Sequence, residues 1–217
     1  MGTLAGSFDQ DLPGLPRGRG RMVTDDVLAA QRPRLLRAAI AAVAENGFAA
    51  TTIADIVGRA RVSRQAFYRQ FDSKEACLIA AIDAGIETVA AVVAASGAET
   101  GDQTDFEASI RAVLRAYLRV SAAEPEFTRA WTLELPISGA AGLAKRNEYF
   151  DILADVLRRL HIDAGLGSAR EALPETTYLA LIGGCHELFY RYVAADRTSD
   201  LPDLEGAMAS FVLAVLG

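Results

Sequence analysis

Helical periodicity constrains the fold more than any other feature of this sequence. Leu35, Leu36, Ala39, Ile40 and Val43 recur three or four residues apart, and similar apolar stripes return in most later segments. No convincing strand pair or hairpin interrupts them. With 217 residues the chain can bury the core of one large domain or two small ones. The sequence therefore predicts an all-α protein.

Charge is divided unevenly along the chain, although the formal net charge is only −6. Residues 16–76 contain 11 Lys or Arg against 6 Asp or Glu, whereas residues 77–217 contain 11 basic against 20 acidic side chains. A polyanion would be attracted to the first part alone. Chance clustering is the alternative explanation of this division.

Two short helices in the basic part are separated by a three-residue turn. Thr52 and Asp55 have the spacing of a capping box, and Ser63 is a good N-cap for the second helix. Phe67 would anchor that second helix, so that its polar residues project into a major groove about 12 Å wide. This pattern predicts a helix-turn-helix that binds DNA. The alternative is a solvated helical hairpin without a ligand.

The predicted contacts fall into two kinds. Arg64 and Gln65 suit base edges, because Arg pairs bidentately with guanine and Gln with adenine, each pair contributing about 1–3 kcal/mol of discrimination. Other residues suit phosphate oxygens through their polar side chains or their place at a helix start, namely Thr52, Tyr68, Gln70 and Lys74.

The glycine- and proline-rich segment before the first helix supplies a second candidate contact. Arg17, Arg19 and Arg21 alternate there with glycine, and three guanidinium groups on a flexible arm could enter a minor groove. A tail that does not contact DNA is the alternative.

Residues 33 to about 82 resemble the N-terminal domain of the TetR family of bacterial transcriptional regulators. Two stretches carry the resemblance, residues 50–57 and 62–76, and the second contains the run Phe67-Tyr68-x-x-Phe71-x-Ser73-Lys74-Glu75. The resemblance implies a homodimer that binds a palindromic operator and that usually represses transcription. It also implies a variable C-terminal helical domain, where a small ligand weakens DNA binding.

The same resemblance assigns residues to roles. It places the family's phosphate-facing tyrosine at Tyr68, its helix-start lysine at Lys74, and its base-contacting positions at Arg64, Gln65 and Ala66. The complete set of predicted DNA-binding residues is Thr52, Ser63, Arg64, Gln65, Ala66, Tyr68, Gln70 and Lys74, with Arg17, Arg19 and Arg21 of the arm.

Two positions depart from the family pattern. Arg61 stands where the turn usually has glycine, and Ala54 stands where some members place a DNA-contacting arginine. A left-handed arginine costs about 1–2 kcal/mol, so we expect a slightly different turn.

The predicted organisation has three parts. Residues 1–31 form a flexible basic arm, residues 32–80 a three-helix DNA-binding domain with the helix-turn-helix, and residues 81–217 a helical bundle for ligand binding and dimerisation. Candidate ligand-binding residues are aromatic or polar side chains at helical spacings, namely Tyr117, Phe127, Trp131, Glu134, Tyr149, His186 and Tyr190. For each of them, packing in the core is the alternative.

Adjacent glycines inside an apolar helix indicate close approach of another helix. We therefore predict a four-helix dimer interface formed by this segment and the last helix. Its residues would be Leu181, Gly183, Gly184, Leu188, Leu204, Met208 and Phe211. Packing within one subunit is the alternative.

Several function classes lack support in the sequence. HExxH, Walker and GxSxG motifs are missing, so we predict no enzyme activity and no cofactor. Cys77 and Cys185 lie far apart without metal-binding neighbours, and we expect reduced thiols and no metal.

The expected location is the cytoplasm. We find neither a secretory signal nor an apolar stretch near the length of a bilayer span, and we expect no membrane partner. The alternative function is a helical small-molecule-binding or interaction protein that does not bind DNA.

Overall fold

The computed structural model describes residues 24–98, 105–166 and 173–217, and every regular element in these ranges is a helix, which confirms the all-α prediction. A π-helical turn, Ala130–Glu134, follows the sixth α-helix, and a 3-10 helix, Thr198–Leu204, precedes the last one. The α-helices are α1 Thr24–Asn46, α2 Ile53–Ala60, α3 Arg64–Tyr68, α4 Lys74–Ala98, α5 Phe106–Ala123, α6 Pro125–Arg129, α7 Ala140–Asp163, α8 Glu175–Ala194 and α9 Glu205–Leu216.

Helix α1 begins earlier than the sequence predicts. It starts at Thr24 and contains Pro33, so residues 24–31, which the sequence predicts as part of the arm, are helical. Proline lacks one backbone donor, but the alanine- and leucine-rich residues around it favour the helix. Arg17, Arg19 and Arg21 lie outside the described residues. At its other end α1 stops at Asn46 as predicted, and Gly47 has φ +76°.

The N-terminal domain has its own core, formed between α1, α2, α3 and the start of α4. Leu35, Ile56, Phe67 and Cys77 are almost fully buried in it. Burial raises the pKa of the Cys77 thiol to about 12, which keeps it protonated. This core fixes α3 against the rest of the domain.

Helix α4 joins the N-terminal domain to the C-terminal bundle and packs against α1, α5 and α7. Its segment Lys74–Ala95 has the length and apolar composition to cross a membrane, and 33% of the most apolar window is buried. The expectation that no stretch approaches this length is therefore wrong, because few charges interrupt the alanine-rich helix.

The C-terminal bundle consists of α5 to α9 with the π-helical turn and the 3-10 helix. One apolar cluster lies between α5, α7, α8 and α9, and a second, containing Trp131 and Phe127, lies where the bundle meets α1 and α4. The contact between the two domains is therefore part of the hydrophobic core.

Gly85 of α4 allows the closest of these contacts, because a Cβ atom there would overlap the buried ring of Phe127. We expect Gly85→Ala to lower the free energy of unfolding by about 1–3 kcal/mol through overpacking. Thermal denaturation followed by circular dichroism measures this change.

Gly58→Ala is the matched control. Gly58 lies on the exposed side of α2 with nothing within 4 Å of the added Cβ, so alanine should stabilise that helix by about 0.5–1 kcal/mol. Equal melting temperatures for Gly85→Ala and the unmodified protein would contradict the packing of α4 on α6.

Candidate functional site

The predicted capping box opens α2 and is confirmed. The Thr52 hydroxyl accepts a hydrogen bond from the Asp55 amide at 3.3 Å and donates to Asp55 Oδ2 at 2.7 Å, while the Thr52 amide donates to the same oxygen at 2.8 Å. These bonds hold the pKa of Asp55 below its usual value. Because the Asp55 carboxylate already occupies this helix start, the structure disfavours Thr52 as a phosphate contact.

Arg61 supplies the turn between α2 and α3. It adopts the left-handed conformation, with φ 53° and ψ 43°. Its amide donates to the Gly58 carbonyl at 3.2 Å, and the Val62 amide donates to the Val57 carbonyl at 3.1 Å. The left-handed conformation costs an arginine about 1–2 kcal/mol of conformational free energy that glycine would not lose.

Helix α3 is anchored to the core by a buried aromatic side chain and is capped at its start. Phe67 is 0% exposed, and the Ser63 hydroxyl accepts a hydrogen bond from the Ala66 amide at 3.1 Å. Ala66 is also buried, so its prediction as a base contact is wrong: its position in the helix places its methyl group on the same inner side as Phe67.

The outer face of α3 presents polar and basic side chains to solvent. Arg64 and Gln65 are exposed at the start of the helix, and Tyr68 is 56% exposed one turn later. Arg69 is exposed beside them and is absent from the predicted set, although its position four residues after Gln65 places it on the same face. This face can offer bidentate donors to bases and hydroxyl groups to phosphates.

Lys74 does not have the role that the sequence predicts. Its Nζ donates to the carbonyls of Phe48 at 2.7 Å, Thr51 at 2.8 Å and Ala49 at 3.3 Å, and lies 4.4 Å from the centre of the Phe48 ring. All three ammonium protons therefore have acceptors within the protein. The side chain of Lys74 therefore holds the turn between α1 and α2 in place and has no ammonium proton left for a phosphate.

Gln70 is also turned away from the exposed face. Its amide nitrogen is buried and has no hydrogen-bond partner among the described residues. This orientation does not support the predicted phosphate contact, since the buried donor does not reach the surface.

Most of the predicted ligand-binding residues meet in one place. The aromatic cluster, as we call it, is a chain of ring contacts with centroids 4.8–6.5 Å apart. Its members are Tyr117, Trp131, Tyr149, Phe150, His186 and Phe189. Phe127 is buried in the adjoining core.

Two of the predicted ligand-binding residues lie elsewhere. Glu134 accepts a hydrogen bond from the Phe48 amide, and Tyr190 is 42% exposed on α8. Neither residue takes part in the ring contacts of the aromatic cluster, because helical spacing does not show which side of a helix meets the core.

Some of the residues predicted for a dimer interface are buried within the single chain, and others are accessible at its surface. Leu181, Leu204 and Met208 lie in the core of the single chain, and these three predictions are wrong. A Cβ on Gly184 would lie 2.7 Å from the Phe211 ring of the same chain, so this glycine serves packing within one subunit. Gly183 has open space around it, Leu188 is half-buried and Phe211 is 41% exposed.

Comparison with known proteins agrees with the helix-turn-helix geometry. The family model for bacterial regulatory proteins of the tetR family matches residues 35–81. Residues 35–81 are a TetR-family N-terminal domain. This domain is the DNA-binding, helix-turn-helix module of transcription regulators.

A curated relative matches the same kind of domain. It is an uncharacterized HTH-type transcriptional regulator, YerO, of Bacillus subtilis (strain 168), 42% identical over 53 residues. The alignment covers 24% of this chain and 18% of that relative's length, so it concerns a small part of the relative.

Solved structures of TetR-type regulators extend the likeness to the whole fold. The fatty acid degradation regulator FadR from Bacillus halodurans has a TM-score of 0.69 and 22% identity, covering 86% of this chain and 96% of its own. The transcriptional regulator FadR from Bacillus subtilis, in complex with stearoyl-CoA, has a TM-score of 0.67 and 21% sequence identity. The match covers 85% of this chain and 98% of that chain. SCO4454, a TetR-family transcriptional regulator from Streptomyces coelicolor, has a TM-score of 0.63 and 20% sequence identity. The match covers 91% of this chain and 96% of that chain. The C-terminal bundle thus shares the fold of TetR-type regulators.

Proposed function

We propose that the protein is a bacterial transcriptional repressor that binds a palindromic operator as a homodimer and is released by a small-molecule ligand. The observation that carries the proposal is the exposure of Arg64, Gln65 and Tyr68 on a short helix whose other side is anchored by Phe67. The family match of residues 35–81 supports DNA binding by this face.

Within this proposal the side chains of α3 divide the work. Arg64 and Gln65 contact base edges in the major groove, whereas Tyr68, Arg69 and the Ser63 hydroxyl bind phosphates that fix the register. Arg64, Gln65, Tyr68 and Arg69 are exposed, and no acidic residue interrupts α3.

The outer face of α9 supports the homodimer. Apart from Ser210 its exposed residues are apolar, and Phe211 and Val215 are 41% and 47% exposed. Leu179 and Tyr190 of α8 add exposed apolar area. Since an apolar helix face is stabilised by being covered, a second copy packed on α8 and α9 would place two α3 helices on one duplex, with half-sites about 34–36 Å apart.

The aromatic cluster supports an uncharged ligand group. Burial lowers the pKa of His186 to about 4, so its imidazole is neutral at pH 7, and Thr132 Oγ1 is buried without a hydrogen-bond partner among the described residues. A buried donor of this kind is normally satisfied, so an apolar or aromatic ligand with an acceptor oxygen would suit it. Stearoyl-CoA, bound in one similar structure, is a first probe.

The remaining parts of the proposal are a cytoplasmic location and the lack of enzyme activity. The alternative is a small-molecule-binding or interaction protein that does not bind DNA. Selection from a pool of random duplexes separates the two, and enrichment of a palindrome with two half-sites one helical turn apart is the expected result.

The same selection, repeated with the variants Arg64→Ala and Gln65→Ala, tests the predicted base contacts of these two residues. Each variant should lose about tenfold in discrimination at one base pair of each half-site, since a bidentate pair contributes about 1–3 kcal/mol. Arg159→Ala, an exposed arginine on α7, is the control and should select the unmodified sequence. Failure of the unmodified protein to enrich any duplex at low salt would reject the proposal.

A further inference from the structure

Glu134 forms a buried polar contact between the C-terminal bundle and the DNA-binding domain. It is the last residue of the π-helical turn, is 7% exposed, and its Oε2 accepts a hydrogen bond from the Phe48 amide at 2.7 Å. The two residues are 86 positions apart in the chain. A carboxylate withdrawn from water needs such a partner, so the bond fixes where the turn between α1 and α2 can lie.

The same turn is held from its other side by Lys74. The Lys74 ammonium donates to the Phe48 carbonyl at 2.7 Å, while Glu134 accepts from the amide of that same residue. Phe48 is thus held through both of its backbone groups, one by the C-terminal bundle and one by the first residue of α4. The turn leads directly into α2, and its position therefore sets that of the helix-turn-helix.

The π-helical turn also touches the aromatic cluster. Trp131 lies three residues before Glu134 and meets the Tyr149 ring edge-on, with centroids 5.1 Å apart, and the Tyr149 hydroxyl donates to Asp83 of α4. The wide turn is closed by the Leu135 amide, which donates to the Ala130 carbonyl at 2.9 Å. Single π-helical turns occur frequently at functional sites. These five residues contact the aromatic cluster at one end and the DNA-binding domain at the other.

We propose that Glu134 is a positioning residue for DNA binding, and that its bond to the Phe48 amide couples the aromatic cluster to the helix-turn-helix. The inference rests on the proposed DNA-binding function. A displacement of Trp131 would move Glu134, because both side chains belong to one short turn. Loss of the bond would free the Phe48 amide and leave the turn before α2 held by Lys74 without the C-terminal bundle.

Trp131 allows the coupling to be measured without an effector, because it is the single tryptophan of the chain. Coupling between two sites is reciprocal, so an operator duplex bound at α3 should change the environment of Trp131. The experiment records Trp131 fluorescence while the full-length protein is titrated with the duplex that it selects, or with a duplex from the flank of its own gene.

The expected results distinguish Glu134 from its neighbours. The unmodified protein should change its Trp131 emission on binding the duplex. Glu134→Ala should bind about tenfold more weakly and show little emission change at saturation, whereas Glu134→Gln, whose amide oxygen can still accept, should restore most of both. Glu126→Gln makes the same chemical change at an exposed position of α6 and should behave as the unmodified protein.

Amide exchange at Phe48 provides a second measurement that does not involve DNA. In Glu134→Ala this amide should exchange at least tenfold faster, while far-UV circular dichroism should show the helices intact. Equal affinity and an equal emission change in Glu134→Ala would overturn the inference and leave the proposed function standing. If no duplex binds the unmodified protein, both are rejected.

Discussion

Replacing Phe67 by alanine is expected to lower the free energy of unfolding by about 3–5 kcal/mol and to unfold the helix-turn-helix. Its ring is 0% exposed, lies 5.7 Å from the Phe71 ring, and shares a core with Leu35 and Ile56. Since single domains are stable by only about 5–15 kcal/mol, such a cavity removes much of the total. Urea denaturation with amide exchange in α2 and α3 measures the effect.

Tyr68→Ala is the matched control on the same helix. Tyr68 follows Phe67 directly, but its side chain is 56% exposed, so its loss should change stability by less than about 1 kcal/mol. The two variants should separate folding from binding, because Tyr68→Ala stays folded and binds DNA more weakly. Equal destabilisation by both substitutions would contradict the orientation of α3.

Acidification from pH 6.5 to pH 4 is expected to lower stability by about 3 kcal/mol through His186 alone. Burial lowers its pKa from the usual 6.5 to about 4, and the nearby Arg146 acts in the same direction, while Glu187 opposes it. In this range the unfolded chain binds a proton that the folded chain does not. Stability is therefore complete above pH 6.5 and decreases as the pH falls.

His186→Phe isolates this contribution from the carboxylates, which also titrate near pH 4. Urea midpoints at pH 7.5 and pH 4.5 should differ less in the variant than in the unmodified protein, because phenylalanine cannot bind the proton. The same pH dependence in both proteins would show that His186 is not buried in its neutral form.

Local features of the DNA-binding domain could be predicted from sequence because they depend on residues close together in the chain. The capping box of Thr52 and Asp55 spans three residues, Ser63 caps the helix that begins at the next residue, and Gly47 ends α1. Phe67 was recognised as the anchor by its spacing among polar residues. In each case the hydrogen bond or the buried side follows from backbone geometry over about one helical turn.

The roles of Lys74, Gly184 and Glu134 could not be predicted in this way. The sequence places Lys74 at a helix start, where an anion is favoured, but carbonyl groups 23–26 residues earlier take its protons. Gly184 indicated close packing correctly, yet its neighbour is Phe211 of the same chain. The sequence predicts a ligand contact for Glu134, but its hydrogen-bond partner is the Phe48 amide, 86 residues away.

The sequence by itself determined the all-α class, the caps of α2 and α3 and the buried anchor of α3, because periodicity and capping are set by neighbours a few residues apart. Only the tertiary structure decided which polar groups remain available for a partner. A lysine or a glutamate binds whichever acceptor or donor the fold brings within hydrogen-bond distance, and that choice is made between residues distant in the chain.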